Sequence, residues 1–309
     1  MTLSIMIYSK NPNVDGQGQI KFSTDYGANW TDPNVFTDDE PVVGIPGAFG
    51  MGVVIKAPNG NLIICSADAL GSTKIVSTDG GKTWSAPSKI TITGISAEQD
   101  AITYTIDQAL ILDSVIYVSC IVLVDEIDYH YMVDIVKSTD NGATWNYVGR
   151  PCGETFAGEC GFTYIGDNTF IAIVRGMDDK LYKTHSHDLG VTWSPLIASG
   201  LHNGGRPHLY TRAQLKGQAN WWTDPVLVMC GFIDVTEGII NIRKNCLWVS
   251  LNHGEIWSPE FTLDDEARLG GYGDMMYNPN TDEYIVIEHR PTSPTVSDIK
   301  QYNVTIDGI

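Results

Sequence analysis

The sequence predicts an all-β fold, a six-bladed β-propeller of four-stranded antiparallel blades, with five blades as the alternative. Three observations predict it. One octapeptide recurs five times, short β-type runs alternate with turns between its copies, and no segment shows helical periodicity. Repeats at this spacing indicate a radial or stacked array, because a small sheet cannot bury both of its faces alone. We expect residues 1–309 to form a single propeller domain.

The octapeptide, here called the box, has the pattern Ser-x-Asp-x-Gly-x-x-Trp, and its last copy carries Asn252 in place of the aspartate. The aspartate or asparagine is expected to accept hydrogen bonds from amides of its own turn, while the glycine supplies a positive φ. The tryptophan is expected to fill the space between neighbouring sheets. The box is therefore interpreted as structural and not catalytic. Its copies occupy residues 23–30, 77–84, 138–145, 186–193 and 250–257.

Strand signals surround each box. A hairpin comes first, as in "GVVIKAPNGNLIICSA" (52–67), a third strand runs into the box, and a fourth follows the tryptophan. Residues 1–50 and 272–309 supply chain for two blades beyond the four complete units, which gives six. Five blades result if the N-terminal strands only complete the hairpin at 272–290. In both cases residues 298–306 are expected to pair with the N-terminal blade.

Charge and composition limit the partners. The net charge is −18, from 19 basic and 37 acidic residues, which argues against nucleic acid and anionic membranes. The longest uncharged apolar run, "VIYVSCIVLV" (115–124), is too short for membrane insertion. The N-terminal "MTLSIMIYSK" lacks the features of a signal peptide, so we expect cytoplasmic synthesis, followed by release through lysis or incorporation into a virion.

Cysteine and histidine give no sign of a cofactor. Four of the six cysteines lie in apolar runs and are expected to act as small hydrophobic residues. Cys152 and Cys160 lie in a Gly-rich loop, where pairing stays open although a reducing compartment opposes it. His185 and His187 sit at a box turn without an evident third ligand. We predict no metal and no other cofactor.

The repeated box resembles that of the Asp-box (BNR) repeat propellers, and most of all that of the sialidase (neuraminidase)-like superfamily. This resemblance implies a site in which three arginines grip a carboxylate, a tyrosine nucleophile is paired with a glutamate, and an aspartate acts as acid and base. Arginine suits the first role because its planar fork binds a carboxylate through two parallel hydrogen bonds. A neutral tyrosine avoids placing a negative nucleophile against a negative substrate.

The second half of the chain is similar to the family in the order of these residues. "GECGFTYIGDNTFIAIVRG" matches the segment with the glutamate and the second arginine, which implies Glu159 and Arg175. Arg243 in "NIRKNCLWVS" stands for the third arginine. Tyr272 in "LGGYGDMMYNP" stands for the nucleophile, whose proton Glu159 would take.

The first half departs from the family. The Arg-Ile-Pro motif of the first arginine is replaced by "GIPGAF", with Gly44 at the arginine position. The acid/base aspartate has no clear counterpart; Asp15 is our first candidate, and Asp68 and Asp100 are alternatives. The arginine triad is thus incomplete, and exo-glycosidase activity is left open.

Two further segments supply candidate substrate contacts. "HNGGRPHLYTR" (202–212) is similar to a stretch that begins an inner strand in BNR-type proteins, which directs Arg206 and His208 toward a ligand on the axis. Trp221 and Trp222 lie in an insertion, where they either stack on a sugar or pack on an adjacent blade.

Two functions follow from these observations. The first is a sialidase-like propeller that binds a surface glycan at its axial face, with hydrolysis open. The alternative is a non-catalytic glycan-recognition or structural module, for example a phage virion or tail component that contacts other virion or surface proteins. Fold analogy alone does not decide between them.

Overall fold

In the computed structural model, almost all regular secondary structure is β-strand. The structure describes residues 4–9, 18–32, 34–45, 53–68, 71–94, 104–125, 130–237, 240–263, 272–293 and 296–306. The chain divides into two compact units, residues 1–129 with 135–148, and residues 130–134 with 149–309. No helix among the described residues has the length and apolarity that crossing a bilayer requires. All six cysteines are free thiols, Cys152 and Cys160 included.

The first unit holds three sheets. A two-stranded sheet pairs β1 (Ser4–Ser9) with β2 (Gly18–Ser23). A four-stranded antiparallel sheet follows, of β3 (Val53–Lys56), β4 (Leu62–Asp68), β5 (Gly71–Ser77) and β6 (Ser88–Lys89). The third sheet has the order β7-β11-β10-β9-β8, and its edge strand β7 is parallel to β11. Its strands are β7 (Ile92–Thr93), β8 (Tyr104–Leu112), β9 (Val115–Asp125), β10 (His130–Ser138) and β11 (Trp145–Gly149). Residues 130–134 of β10 and residue 149 of β11 belong to the second unit.

The second unit holds three antiparallel sheets whose strands are neighbours in sequence order. The first has β12 (Ala157–Tyr164), β13 (Phe170–Gly176), β14 (Leu181–Ser186) and β15 (Ile197–Ala198). The second has β16 (Gly204–Thr211), β17 (Leu227–Glu237), β18 (Ile240–Ser250) and β19 (Phe261–Thr262). The third has β20 (Tyr272–Asn278), β21 (Glu283–Ser293) and β22 (Val296–Val304).

The blade count matches the five-bladed alternative. Among the described residues, five sheets have three or more strands, and β1 with β2 forms a separate pair. Residues 298–306 do not pair with the N-terminal strands as predicted. They lie largely in β22, which pairs with β21 of the same sheet. A hairpin between consecutive strands closes a much shorter loop than a pairing between the chain ends, and so costs less entropy.

Continuous apolar runs form strands that are buried on both faces. In β17, Leu227 and Met229 pack in one cluster with Ile171 of β13. Val228 and Cys230, which point to the opposite face, pack in another cluster with Met275 of β20. A central sheet with a neighbour on each face therefore needs apolar residues at successive positions, not at alternate ones.

The boxes form the predicted turns. In the third box, Asp140 Oδ1 accepts hydrogen bonds from the Ser138 hydroxyl (2.8 Å) and the Thr144 amide (2.9 Å). Gly142 has a φ of 79°, and Trp145 is almost fully buried in the apolar cluster of its unit. In the fifth box, Asn252 Oδ1 accepts from the Ile256 amide at 2.9 Å, so asparagine substitutes for aspartate in this turn.

One short helix was not predicted. Helix α1 (Arg212–Leu215) is capped by Thr211, whose hydroxyl accepts a hydrogen bond from the Gln214 amide at 3.0 Å. A single 3-10 turn, Trp221–Thr223, follows it. Four residues are too few to produce a detectable helical period.

We predict that the box aspartates contribute to acid unfolding. Hydrogen bonds from the Thr144 hydroxyl and amide lower the pKa of Asp140 to about 2, against the opposing effect of burial. Burial raises the pKa of Asp79, but hydrogen bonds from Thr83 and Ser77 outweigh it and bring the pKa to about 2. Because the folded pKa lies below the unfolded value, this stabilisation is present above pH ~4 and is lost as the pH falls toward 2.

The variant Asp79→Asn/Asp140→Asn keeps the turn acceptors but removes this titration. Its free energy of unfolding should fall less between pH 5 and pH 2 than that of the wild type, measured by denaturant unfolding at each pH. Asp167→Asn, at a turn outside the boxes, is the control. An unchanged pH profile in the double variant would contradict the assignment.

Candidate functional site

The centre of the candidate site is a buried carboxylate. Glu159 lies at an irregular point of β12, between Ala157 and Cys160, where the pairing with β13 shifts register. Its side chain is only 10% exposed, and its Oε2 lies 3.1 Å from Nη1 of Arg175 on β13. Arg175 also donates to Asp179 Oδ1 from Nη2 (2.6 Å) and Nε (3.2 Å). Burial would lower the pKa of Arg175, but the charge of Glu159 and the bonds to Asp179 raise it above its ordinary value.

A second strand reaches Glu159 through its backbone. The amide of Arg206, on β16 of the next sheet, donates to Glu159 Oε2 at 2.6 Å. Arg206 has a φ of 46°, in a segment where β16 shifts register against β17 between Gly205 and His208. A positive φ is unfavourable for a residue with a side chain, and such residues are concentrated at functional sites. Here it turns a backbone N–H toward a carboxylate of another sheet.

An aromatic ring joins a second arginine to this group. Phe232 is fully buried on β17, opposite Gly205 on β16. The guanidinium carbon of Arg243 lies 3.9 Å from the centroid of this ring, and that of Arg175 lies 5.3 Å from it. Both distances fall within the range of a cation–π interaction. Arg243 also donates from Nε to Asp234 Oδ1 at 3.0 Å, its cross-strand partner.

Gly205 makes this convergence possible because it has no side chain. A Cβ at this position would lie 2.6 Å from Phe232 Cζ, 2.7 Å from Glu159 Oε2 and 2.9 Å from Arg175 Cδ. Three side chains of the site therefore occupy the space that any other residue would need. We call Glu159, Arg175, Phe232 and Arg243, with the backbone of Gly205 and Arg206, the arginine cluster.

The arginine cluster retains donor capacity for an acidic ligand. A guanidinium has five N–H donors, and Arg175 uses three of its nitrogens once each. Arg243 donates through Nε, and within the described residues neither of its Nη groups makes a hydrogen bond. The carboxylates nearby are Glu159, Asp179 and Asp234, and Asp179 is more than half exposed. A ligand carboxylate that displaces Asp179 would find preformed cationic partners.

The sequence model of the BNR repeat-like domain matches residues 15–285 of this chain. This is well over half of its length. The chain belongs to the BNR repeat-like domain family. A search of curated proteins by sequence gave no match.

Solved structures with the same fold include sialidases. A Hadza microbial sialidase, Hz136, is 15% identical with a TM-score of 0.70, over 98% of this chain and 63% of its own. A mutant NanB sialidase from Streptococcus pneumoniae is 13% identical with a TM-score of 0.68, over 99% of this chain and 66% of its own. A protein of unknown function from Dyadobacter fermentans is 16% identical with a TM-score of 0.69, over 95% of this chain and 84% of its own.

These likenesses show the fold, a sialidase-like β-propeller of small antiparallel sheets, and they confirm the predicted fold class. The chain spans slightly under two thirds of the length of the two sialidase chains.

In this BNR repeat-like protein, the predicted site residues divide into groups. Glu159, Arg175 and Arg243 share the arginine cluster, to which Arg206 contributes its amide. His208 instead lies with Nδ1 3.2 Å from Asp274 Oδ1 on β20. The backbone of Tyr272 begins β20, and its side chain lies outside the described residues.

The two adjacent tryptophans lie away from the arginine cluster. Trp221 and Trp222 surround Tyr164, with ring centroids 6.2 and 6.0 Å from it. Tyr164 ends β12, five residues beyond Glu159, which corresponds to about 17 Å along the strand. A sugar bound at the arginine cluster would therefore not reach them as an immediate neighbour.

The predictions in the N-terminal half fall mostly outside the described structure. This holds for Asp15 and Asp100, and for the side chain of Asp68, whose backbone ends β4. Gly44 is described: its φ is 91°, and a Cβ there would lie 2.2 Å from the Trp84 carbonyl oxygen. An arginine cannot occupy position 44 in this conformation, which gives a physical reason for the departure from the family motif.

Sequence reasoning missed Phe232, Gly205, Asp179 and Asp234. Phe232 stands in an unbroken apolar run, where nothing distinguishes a site residue from a core residue. The two aspartates lie close to arginines in sequence or in strand register, a signal that a cross-strand analysis of charge pairs would have found.

We predict that Gly205→Ala disrupts the arginine cluster. The added methyl group displaces Phe232, Glu159 or Arg175, so we expect a loss of about 1–3 kcal/mol in the free energy of unfolding. Gly158→Ala is the matched control, because a Cβ at position 158, beside Glu159, meets nothing within 4 Å. Denaturant unfolding of both variants measures the difference. Equal stability would show that the glycine is not required for close approach.

Proposed function

We propose that the protein binds an acidic surface glycan at the arginine cluster. The observation that carries the proposal is the convergence of Arg175 and Arg243, from two different sheets, on the ring of Phe232. Paired guanidinium groups with spare donors are suited to a carboxylate, which they bind through parallel charge-assisted hydrogen bonds. Membership of the BNR repeat-like domain family and the fold shared with sialidases support a glycan as the ligand.

Hydrolysis is the finer form of this proposal. In it, Tyr272 attacks the anomeric carbon, Glu159 accepts the phenolic proton, and an aspartate, with Asp15 the first candidate, protonates the leaving oxygen. The burial of Glu159 supports its role as a positioned group. The incomplete arginine triad means that Arg175 and Arg243, with Arg206 as the candidate third cation, must hold the substrate.

Binding without turnover is the alternative, and a specific observation favours it. Glu159 Oε2 already accepts hydrogen bonds from Arg175 Nη1 and from the Arg206 amide, so this oxygen is occupied by partners within the protein. Position 44 cannot carry the first arginine in the observed backbone. On this alternative the protein is a recognition or structural module, such as a phage virion or tail component, released by lysis and in contact with other virion or host surface proteins.

Conservative arginine variants test the ligand site. Lysine keeps the charge but loses the planar fork, so Arg175→Lys and Arg243→Lys should each weaken binding to sialylated or uronate-bearing glycans at least about 10-fold. Arg212→Lys is the matched control, because Arg212 makes the same type of pair with Asp224 outside the arginine cluster. Glycan-array screening followed by calorimetry measures the affinities. Equal losses in all three variants, or binding only to neutral glycans, would refute the proposal.

Turnover separates the two forms of the proposal. If the protein is a hydrolase, Tyr272→Phe should lower kcat/KM on a fluorogenic sialoside or another acidic glycoside at least about 1,000-fold, with glycan binding retained. Tyr277→Phe, on the same strand, is the control. Turnover that survives the change at position 272 would exclude this residue as nucleophile, and binding without turnover in the wild type would support the recognition module.

A further inference from the structure

A second group of reactive side chains lies beside the arginine cluster and takes no part in it. His208 on β16 and Cys230 on β17 are cross-strand partners, so their side chains leave the sheet on the same face. Asp274 comes from β20 of the next sheet, and its Oδ1 lies 3.2 Å from His208 Nδ1. The imidazole nitrogen, the thiol sulfur and a carboxylate oxygen all lie within 4.8 Å of one another.

We propose that His208, Cys230 and Asp274 form a zinc-binding site with a fourth coordination position open toward solvent. These three ligand types are the ones that Zn²⁺ takes in proteins, and three protein ligands with one open position are typical of zinc sites that bind water or substrate. Calcium and magnesium are excluded as preferred ions, because they select oxygen ligands and a sulfur and a nitrogen would replace two of these.

The spacing of the donors fits this ion. Zinc–nitrogen and zinc–oxygen bonds of about 2.0–2.2 Å at a tetrahedral angle place the two ligand atoms about 3.3 Å apart. The distance between His208 Nδ1 and Asp274 Oδ1 is 3.2 Å, so this edge of the tetrahedron is already formed. With a zinc–sulfur bond of about 2.3 Å, the sulfur of a complete set lies about 3.6 Å from each of the other two ligand atoms. The present separations are at most 4.8 Å, so the sulfur has to approach by about 1.2 Å at most.

The carboxylate is held in place by neighbours outside the ligand set. Tyr210 donates its hydroxyl to Asp274 Oδ1 at 2.6 Å, and the Met275 amide donates to the same oxygen at 2.7 Å. Second partners of this kind orient the ligands of metal sites and contribute to metal affinity. The Cys230 thiol is oriented as well, because it donates to the Gly273 carbonyl at 3.7 Å.

Burial and charge favour a metal over a bare cluster. Cys230 and His208 are buried, whereas the side chain of Asp274 is 58% exposed, so an ion can enter on the carboxylate side. One thiolate, one carboxylate, a neutral imidazole and Zn²⁺ sum to zero charge. Binding therefore leaves no net charge in the buried part of the site, which would otherwise be costly. The metal takes the place of the thiol proton.

Cobalt titration tests the site without any assay of activity. Co²⁺ replaces Zn²⁺ in such sites and gives a thiolate charge-transfer absorption band only when cysteine is a ligand. The full-length protein should bind one Co²⁺ per chain with this band, and Zn²⁺ should displace it. Cys230→Ser should abolish the band, and His208→Gln or Asp274→Asn should weaken Co²⁺ binding at least about 100-fold.

Cys246→Ser is the matched control, because Cys246 is also a buried cysteine and lies on the adjacent strand β18. This substitution should leave the cobalt titration unchanged. Thermal unfolding of each metal-free variant establishes whether it is folded. Asp274→Asn changes an exposed side chain, so we expect this variant to fold even if the substitutions at the buried positions 208 and 230 do not. A wild-type protein without the thiolate band would overturn the proposal. So would a band that persists in Cys230→Ser or disappears in Cys246→Ser.

Discussion

The close approach of β12 and β16 determines the candidate site. These strands belong to different sheets, yet a Cβ at Gly161 of β12 would lie 2.3 Å from the Pro207 carbonyl oxygen of β16. Only glycine allows two backbones to come this close. The approach brings the Arg206 amide to 2.6 Å from Glu159 Oε2 and places Gly205 next to the side chains of Phe232, Glu159 and Arg175. Without it, the two sheets would present separate charged residues and no shared cluster.

The box turns and the arginine cluster occupy different parts of the chain. In the third box the serine hydroxyl and a following amide donate to the aspartate within the turn, and Trp145 is buried in the apolar cluster of its unit. The arginine cluster depends instead on contacts between residues of two different sheets. An unpaired arginine buried to this extent would be costly, so Glu159, Asp179 and Asp234 keep the cations in place. A ligand must then compete with internal carboxylates, which favours a ligand that is itself an anion.

The sequence predicted the features that depend on local chemistry. The box turns follow from hydrogen bonds within a few residues, and this is why Asn252 could be recognised as an equivalent of aspartate. The order of Glu159, Arg175 and Arg243 was found through resemblance to a family, and the structure brings these three together. Long-range proximity was not predictable: nothing in the sequence places Asp274 beside His208, or Phe232 between two arginines. The predicted pairing of residues 298–306 was wrong because β22 forms a hairpin with β21, which precedes it in the chain, and this closes a shorter loop than a pairing of the chain ends.

We propose that Arg175 and Arg243 act on one ligand, although they come from different sheets. A double-mutant cycle on the affinity for an acidic glycan tests this most directly. With Arg175→Lys, Arg243→Lys and the double variant, we expect a coupling energy of at least about 0.5 kcal/mol between the two positions. Strictly additive losses, or a loss at only one position, would contradict a shared site.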